Sequence, residues 1–122
     1  MKERFFIPAP TPTDRTETVN DIAFPVYLDG DKPMKWSGSF PVPPIESRIW
    51  IRMNRIGWAI VKGYFESCGY VGVMALPEDP PKWLLDQRRR EKKEPGYADR
   101  PQWYKDGIGC FFGNEMALEQ PA

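Results

Sequence analysis

The sequence predicts a small, mainly β domain with one short helix, and three observations carry that prediction. Residues 49 to 76 contain IWIRMN, WAIVKGYF and GYVGVMAL, runs rich in Ile, Val, Trp, Tyr and Phe with short breaks between them. This is the pattern of a three-stranded meander. Upstream, FPVYL, DGDKP and MKWSGSF set an Asp-Gly turn between two further strand-like runs, the signature of a hairpin. Downstream, PEDPPKWLLDQRRREKKEPG has helix punctuation at both ends. Strands are therefore expected over about 24–28, 34–40, 49–54, 58–65, 69–76 and 108–113, with a helix over about 80–93 before the closing strand.

The elements follow in order. Residues 1–20, with Pro8, Pro10 and Pro12 among threonines and charges, read as a flexible arm. Its Phe5, Phe6 and Ile7 are apolar enough to dock on the domain or a partner. Residues 21–118 form the single β-rich domain and 119–122 a tail. After the hairpin, the prolines of FPVPPIES fit an extended connection better than a central strand.

In the meander, pairing Asn54 with Trp58 and Phe65 with Gly69 sorts the side chains into two faces. One carries Ile49, Ile51, Met53, Ala59, Val61, Gly63, Phe65, Val71, Val73 and Ala75, and is the expected core. The other carries Arg48, Trp50, Arg52, Ile60, Lys62, Tyr64, Tyr70, Gly72 and Met74. The hairpin residues Tyr27, Met34, Trp36 and Phe40 are candidates to cover this second face. In the helix, Asp79 is the expected cap and Pro80 and Pro81 suit the first turn. Only Trp83, Leu84 and Gln87 offer an apolar face, so its start docks while the rest stands in water. Residues 82–107 form a charged helix-loop insertion.

The runs IWIRMN, GWAIVKGYF, GYVGVMALPEDPPKWL and CFFGNEM, with a short helix before the last strand, resemble the layout of small SH3-like or KOW-like β-barrels. The resemblance covers under half the chain. The glycine-aromatic rhythm also resembles small accessory proteins of plasmids and phages. The N-terminal hairpin and the charged insertion depart from the barrel layout. Such barrels bind peptides, nucleic acids and other subunits, so the resemblance alone selects none of these.

Composition removes several chemistries. The 122 residues hold 17 basic and 17 acidic side chains and no histidine. The commonest general base, metal ligand and partner of a Ser or Cys nucleophile is thus missing. Cys68 and Cys110 have no CxxC spacing for zinc, and are expected to be thiols in a reducing compartment. No Gly-rich phosphate loop or GxSxG elbow is present. The expectation is a non-enzyme with no catalytic residue, cofactor or metal. No apolar run approaches a membrane span, and MKERFFIPAPTPT lacks a secretory signal, so a cytoplasmic protein without membrane contact is expected.

Two surfaces remain as candidate binding sites. The first is the second face of the meander, with Arg48, Trp50, Arg52, Lys62, Tyr64 and Tyr70. Aromatic and basic groups interleaved in this way suit either a protein hot spot or stacked bases. The second is the insertion, with eight basic against four acidic residues between 82 and 105. Its Arg88, Arg89, Arg90, Lys92, Lys93, Arg100 and Lys105 can contact phosphates, and Tyr97, Trp103 and Tyr104 can stack. Interspersed acids favour a solvated helix instead. Zero net charge and the missing catalytic residues favour an accessory protein that binds a protein partner, as a monomer or weak homodimer. Nucleic-acid binding is the alternative.

Overall fold

The computed structural model describes residues 4–121 of the chain. It is mainly β: β1 (Arg4–Phe6), β2 (Thr11–Val19), β3 (Ile22–Asp29), β4 (Lys32–Lys35), β5 (Arg48–Ile51), β6 (Gly57–Ser67) and β7 (Tyr70–Pro77) precede α1 (Lys82–Glu91). After it come α2 (Gln102–Lys105), β8 (Gly109–Phe112) and β9 (Met116–Ala117), with 3-10 turns at Tyr97–Asp99 and Gly113–Glu115. The strands form one open sheet ordered β2-β3-β4-β7-β6-β5-β9; β1 pairs with β6 and β8 with β7. A closed barrel is therefore not what the hydrogen bonding forms. Nevertheless β8 continues through a single 3-10 turn into β9, which returns to pair with β5, Ile51 opposite Met116.

The expected arm is instead two strands. β2 pairs with β3 from Thr11 opposite Leu28 to Val19 opposite Ile22, and β1 pairs with β6, Phe5 opposite Phe65. Pro12 is tolerated because β2 is an edge strand with a register shift between Pro12 and Thr16, where no inner ladder needs its missing N–H. Residues 1–3 of that arm, and Ala122 of the expected tail, lie outside the described residues. The two remaining hairpin and meander runs end sooner than expected. β4 stops at Lys35, because Trp36 turns inward and its Nε1 donates to the Phe40 carbonyl at 2.5 Å. β5 stops at Ile51, and Asn54 and Arg55 take left-handed conformations in the turn before β6.

The meander is real, with a different register. Trp50 lies opposite Trp58, and Phe65 opposite Gly72 across the two-residue Cys68-Gly69 turn. A bulge between Val61 and Gly63 inserts one extra residue, which exchanges the faces of the strand beyond it. Tyr64, expected on the outer face, is consequently fully buried beside Val61, Val71 and Val73. Phe65 turns to the other side, where it meets Phe112 and Phe5. Met53 leaves the strand and is exposed.

The hairpin layer also covers the opposite side from the one expected. Tyr27, Met34 and Trp36 pack with Ile49, Ile51, Val61, Tyr64 and Ala75 in one core. They therefore close the apolar face of the meander and leave Trp50 outside. Two buried hydroxyls stitch the proline-rich connection to this core. Tyr64 donates to the Pro43 carbonyl at 2.5 Å, and Tyr27 accepts from the Val42 N–H at 2.9 Å.

Burial pushes the Tyr64 hydroxyl up to about 12 from its usual 10.0. Below the lower value it is neutral whether the chain is folded or unfolded. As pH rises from there, the unfolded chain loses the proton first, so the folded state binds more protons and stability falls. Between pH 10 and 12, the urea midpoint of the native chain is expected to drop more steeply than that of Tyr64→Phe. Parallel slopes would mean that Tyr64 titrates as an exposed phenol.

Candidate functional site

The first expected surface is only partly assembled. Arg48, Trp50 and Lys62 share the outer face of β5 and β6, where Trp50 meets Trp58 edge-on at 5.4 Å and the Arg48 guanidinium lies 4.0 Å over the Trp58 ring. Tyr64 belongs to the core, and Tyr70 stands at the start of β7, away from this patch. The cations of the patch are already paired: Arg48 Nε reaches Glu78 at 2.7 Å and Lys62 Nζ reaches Glu46 at 3.0 Å. Such a face has aromatic area but little free positive charge to meet phosphate.

The insertion folds as a small unit of its own. α1 spans Lys82–Glu91 with Pro81, not Asp79, at its N-cap and no side-chain cap. Proline fits there because the first N–H groups of a helix have no partner within it. None of its residues is buried. Trp83 is still 40% exposed, yet its Nε1 donates to the Asn54 carbonyl at 2.7 Å and fixes the helix start on the turn before β6.

The aromatic residues of the following loop are used internally. Trp103 packs on Phe5 at 5.2 Å, and Tyr104 donates to Glu91 beneath the Arg100 guanidinium. The carboxylate of Glu91 holds the Tyr104 proton and raises that group above the usual phenol range, with burial adding to the effect. Tyr97 is half-buried in the 3-10 turn.

Basic residues of this unit divide by role. Arg88 donates to the Gly107 carbonyl at 2.6 Å, Arg89 pairs with Asp86 at 2.9 Å, and Arg100 reaches Glu91 at 3.5 Å. Lys105 donates to the Ala98 carbonyl at 3.1 Å. Arg90, Lys92 and Lys93 are exposed and make no ion pair among the described residues. Arg88→Ala is expected to loosen the contact between α1 and the Gly107 turn, seen as faster amide exchange over 102–108, whereas Arg90→Ala leaves exchange unchanged. Equal effects would mean that Arg88 does not hold the two segments together.

One concave site was not visible in the sequence. An open cleft of about 920 Å³ lies between the turn end of the β2-β3 hairpin, the loop after β4, the Cys68 turn and the segment from Phe112 to Leu118. Its walls are mostly apolar, with Phe24, Phe40, Tyr70, Phe112 and Met116 along them and the exposed Ile22 and Leu118 at the rim. Of the expected site residues, the cleft includes Arg52 and Tyr70. Arg52 donates to the Asn114 carbonyl, and Asn114 N–H donates to Ser37 Oγ at 3.0 Å, which ties the 3-10 turn to the loop after β4. Glu115 holds that turn from within, accepting from the Phe112 N–H at 2.8 Å.

The elements lining the cleft are remote in the chain and share no motif. The available signal was an apolar residue in each of several short loops, which reads as ordinary core until the topology gathers them. Cys68 opens onto this cleft and is not joined to Cys110 by a disulfide. Among the described residues, no three His, Cys, Asp or Glu side chains cluster as a metal site would, and no helix is long and apolar enough to cross a membrane. Comparison with protein-family models, curated proteins and solved structures finds no match for this chain.

Proposed function

We propose that this chain is a non-catalytic accessory protein that binds a protein partner, with the apolar cleft as its main contact and the Trp50 face beside it. The observation that carries this reading is the cleft itself, because concave apolar surface edged by a few polar groups is the usual form of a recognition site. Ile22 and Leu118 at its rim are exposed apolar side chains that a partner would take out of water. The pairing of Arg48, Lys62, Arg89 and Arg100 with carboxylates adds support, since it leaves less charge for a polyanion. Nucleic-acid binding remains the second reading on one observation, the exposed run of Arg90, Lys92 and Lys93, which makes no ion pair among the described residues.

The order of β5 to β9, with one 3-10 turn before the last strand and that strand returning to the first, supports a small SH3-like roll as the frame of this site. The hairpin of β2 and β3 then adds a wall to the roll and creates the cleft.

Crosslinking in the native host followed by binding of the purified pair tests the reading. A one-to-one complex is expected that survives ~200 mM salt. Micromolar binding to single- or double-stranded DNA or RNA that collapses over the same salt range would overturn it, because released counterions make phosphate contacts steeply salt-dependent.

A further inference from the structure

We infer that the cleft takes an extended apolar peptide segment of the partner, with a carboxylate of that segment set against Arg52. This rests on the protein-binding reading and names the chemistry of the partner.

The charge balance of the cleft selects the carboxylate. Among the described residues Arg52 is the one charged side chain on its walls, and its hydrogen bond to the Asn114 carbonyl holds the guanidinium at the cleft without neutralising it. No carboxylate pairs with Arg52 among the described residues, whereas Arg4, Arg48, Arg89 and Arg100 each have one. A guanidinium donates through several N–H groups in one plane, so a carboxylate can bind it while the Asn114 contact persists. An anionic group in an otherwise apolar ligand therefore gains a charge-assisted contact there, and among the described residues no Asp or Glu lines the cleft.

The sheet edge selects a peptide over a fatty acid. β9 is the last strand in the order, so one of its edges has no strand beside it. The Arg52 N–H donates to the Glu115 carbonyl, which by antiparallel alternation turns the main-chain groups of Ala117 toward Trp50 and those of Met116 away from β5. The Met116 N–H closes the 3-10 turn on Gly113, and its carbonyl, at a residue only 2% exposed, faces the edge of β9 that borders the cleft. Ser37, Ser39 and Asn20 add polar groups along the rim. A peptide main chain has donors and acceptors to answer these groups, whereas an alkyl chain has none. Strand addition at an edge, with side chains entering apolar pockets, is an established way for a sheet to hold an extended segment.

The test uses the full chain and a displayed library of random nine-residue peptides with free C-termini. Selected peptides are expected to have apolar residues at alternate positions and an acidic residue or terminal carboxylate. They should protect Cys68 from iodoacetamide and lose at least about tenfold in affinity with Leu118→Asp or Ile22→Asp, both changes at exposed positions. Arg52→Gln should weaken the carboxylate peptide about tenfold and leave the version with that group amidated unaffected, a difference that misfolding cannot produce. Failure to select any peptide, selected peptides indifferent to these substitutions, or laurate protecting Cys68 where no peptide does would overturn the inference. If a host partner instead binds through Trp50 with the cleft open, the protein-binding reading stands and only this inference falls.

Discussion

Trp36→Ala is expected to lower stability by about 3–5 kcal/mol, the range for removing a large aromatic side chain from a core. Trp36 has no solvent exposure and packs among Tyr27, Met34, Ile49 and Tyr64. Deleting it empties the layer where the hairpin meets the meander. The loss does not stop at packing. Without the indole N–H the Phe40 carbonyl has no donor, and the ring contact between Trp36 and Phe40, at 6.0 Å, disappears with it. The loop over 37–40 should then loosen, and this loop is one wall of the cleft. Native domains are held by only about 5–15 kcal/mol, so the variant should melt far earlier or fail to fold. Trp50→Ala provides the contrast, because Trp50 lies on the outer face and keeps partial contact with solvent. Urea unfolding followed by circular dichroism measures both. Equal losses would mean that the hairpin does not cover the face assigned to it.

Gly113→Ala should cost nearly as much for the opposite reason, at the upper end of the roughly 1–3 kcal/mol typical of overpacking. A methyl group at Gly113 would lie 2.4 Å from the Gly38 nitrogen and 2.7 Å from Trp36 Cζ2. Backbone cannot rotate out of the way as a side chain can, and the indole is fully buried. Either the 3-10 turn or the loop after β4 has to move. Because Asn114 and Ser37 join these two segments and Arg52 anchors the same turn to the end of β5, displacement should also disturb the cleft. Asn114→Ala, at an exposed position in the same turn, removes only the hydrogen bond that Ser37 Oγ donates to Asn114 Oδ1 at 3.3 Å, adds no volume and should be much milder. An unchanged urea midpoint for Gly113→Ala would show that the close approach of the two segments is not required.

The β content was readable because periodicity and turn chemistry are local properties. Residues 57–67 and 70–77 announce themselves by runs of Ile, Val and aromatic residues between short breaks, and α1 by the prolines before it and Pro95-Gly96 after it. The assignment of faces was less secure, since it depends on counting by two and one extra residue defeats the count. The bulge between Val61 and Gly63 has no strong local signal; Lys62 is an ordinary outward residue until Tyr64 is found inside. Strands β1, β2 and β9 were hidden for another reason. Pro12 argues against a strand unless the strand is known to be an edge, and Met116 with Ala117 is too short to show a period. The Arg48 and Trp50 patch was legible from adjacency on β5. Its carboxylate partners Glu78 and Glu46, and the cleft around Arg52, exist only through contacts between distant segments.

The connection from β7 to β8, containing α1 and α2, bears on how the fold tolerates change. Closing a flexible loop costs entropy that rises only with the logarithm of its length, about 0.6 kcal/mol for each doubling. Exchanging the whole helical insertion for a linker half as long would therefore change the closure entropy of the β7-β8 connection by little more than half a kcal/mol. The sheet does not depend on this excursion for its connectivity, and its direct ties to the strands are few, chiefly Trp83 to Asn54 and Trp103 to Phe5. Shortening or lengthening this stretch should therefore leave the frame that holds the cleft in place.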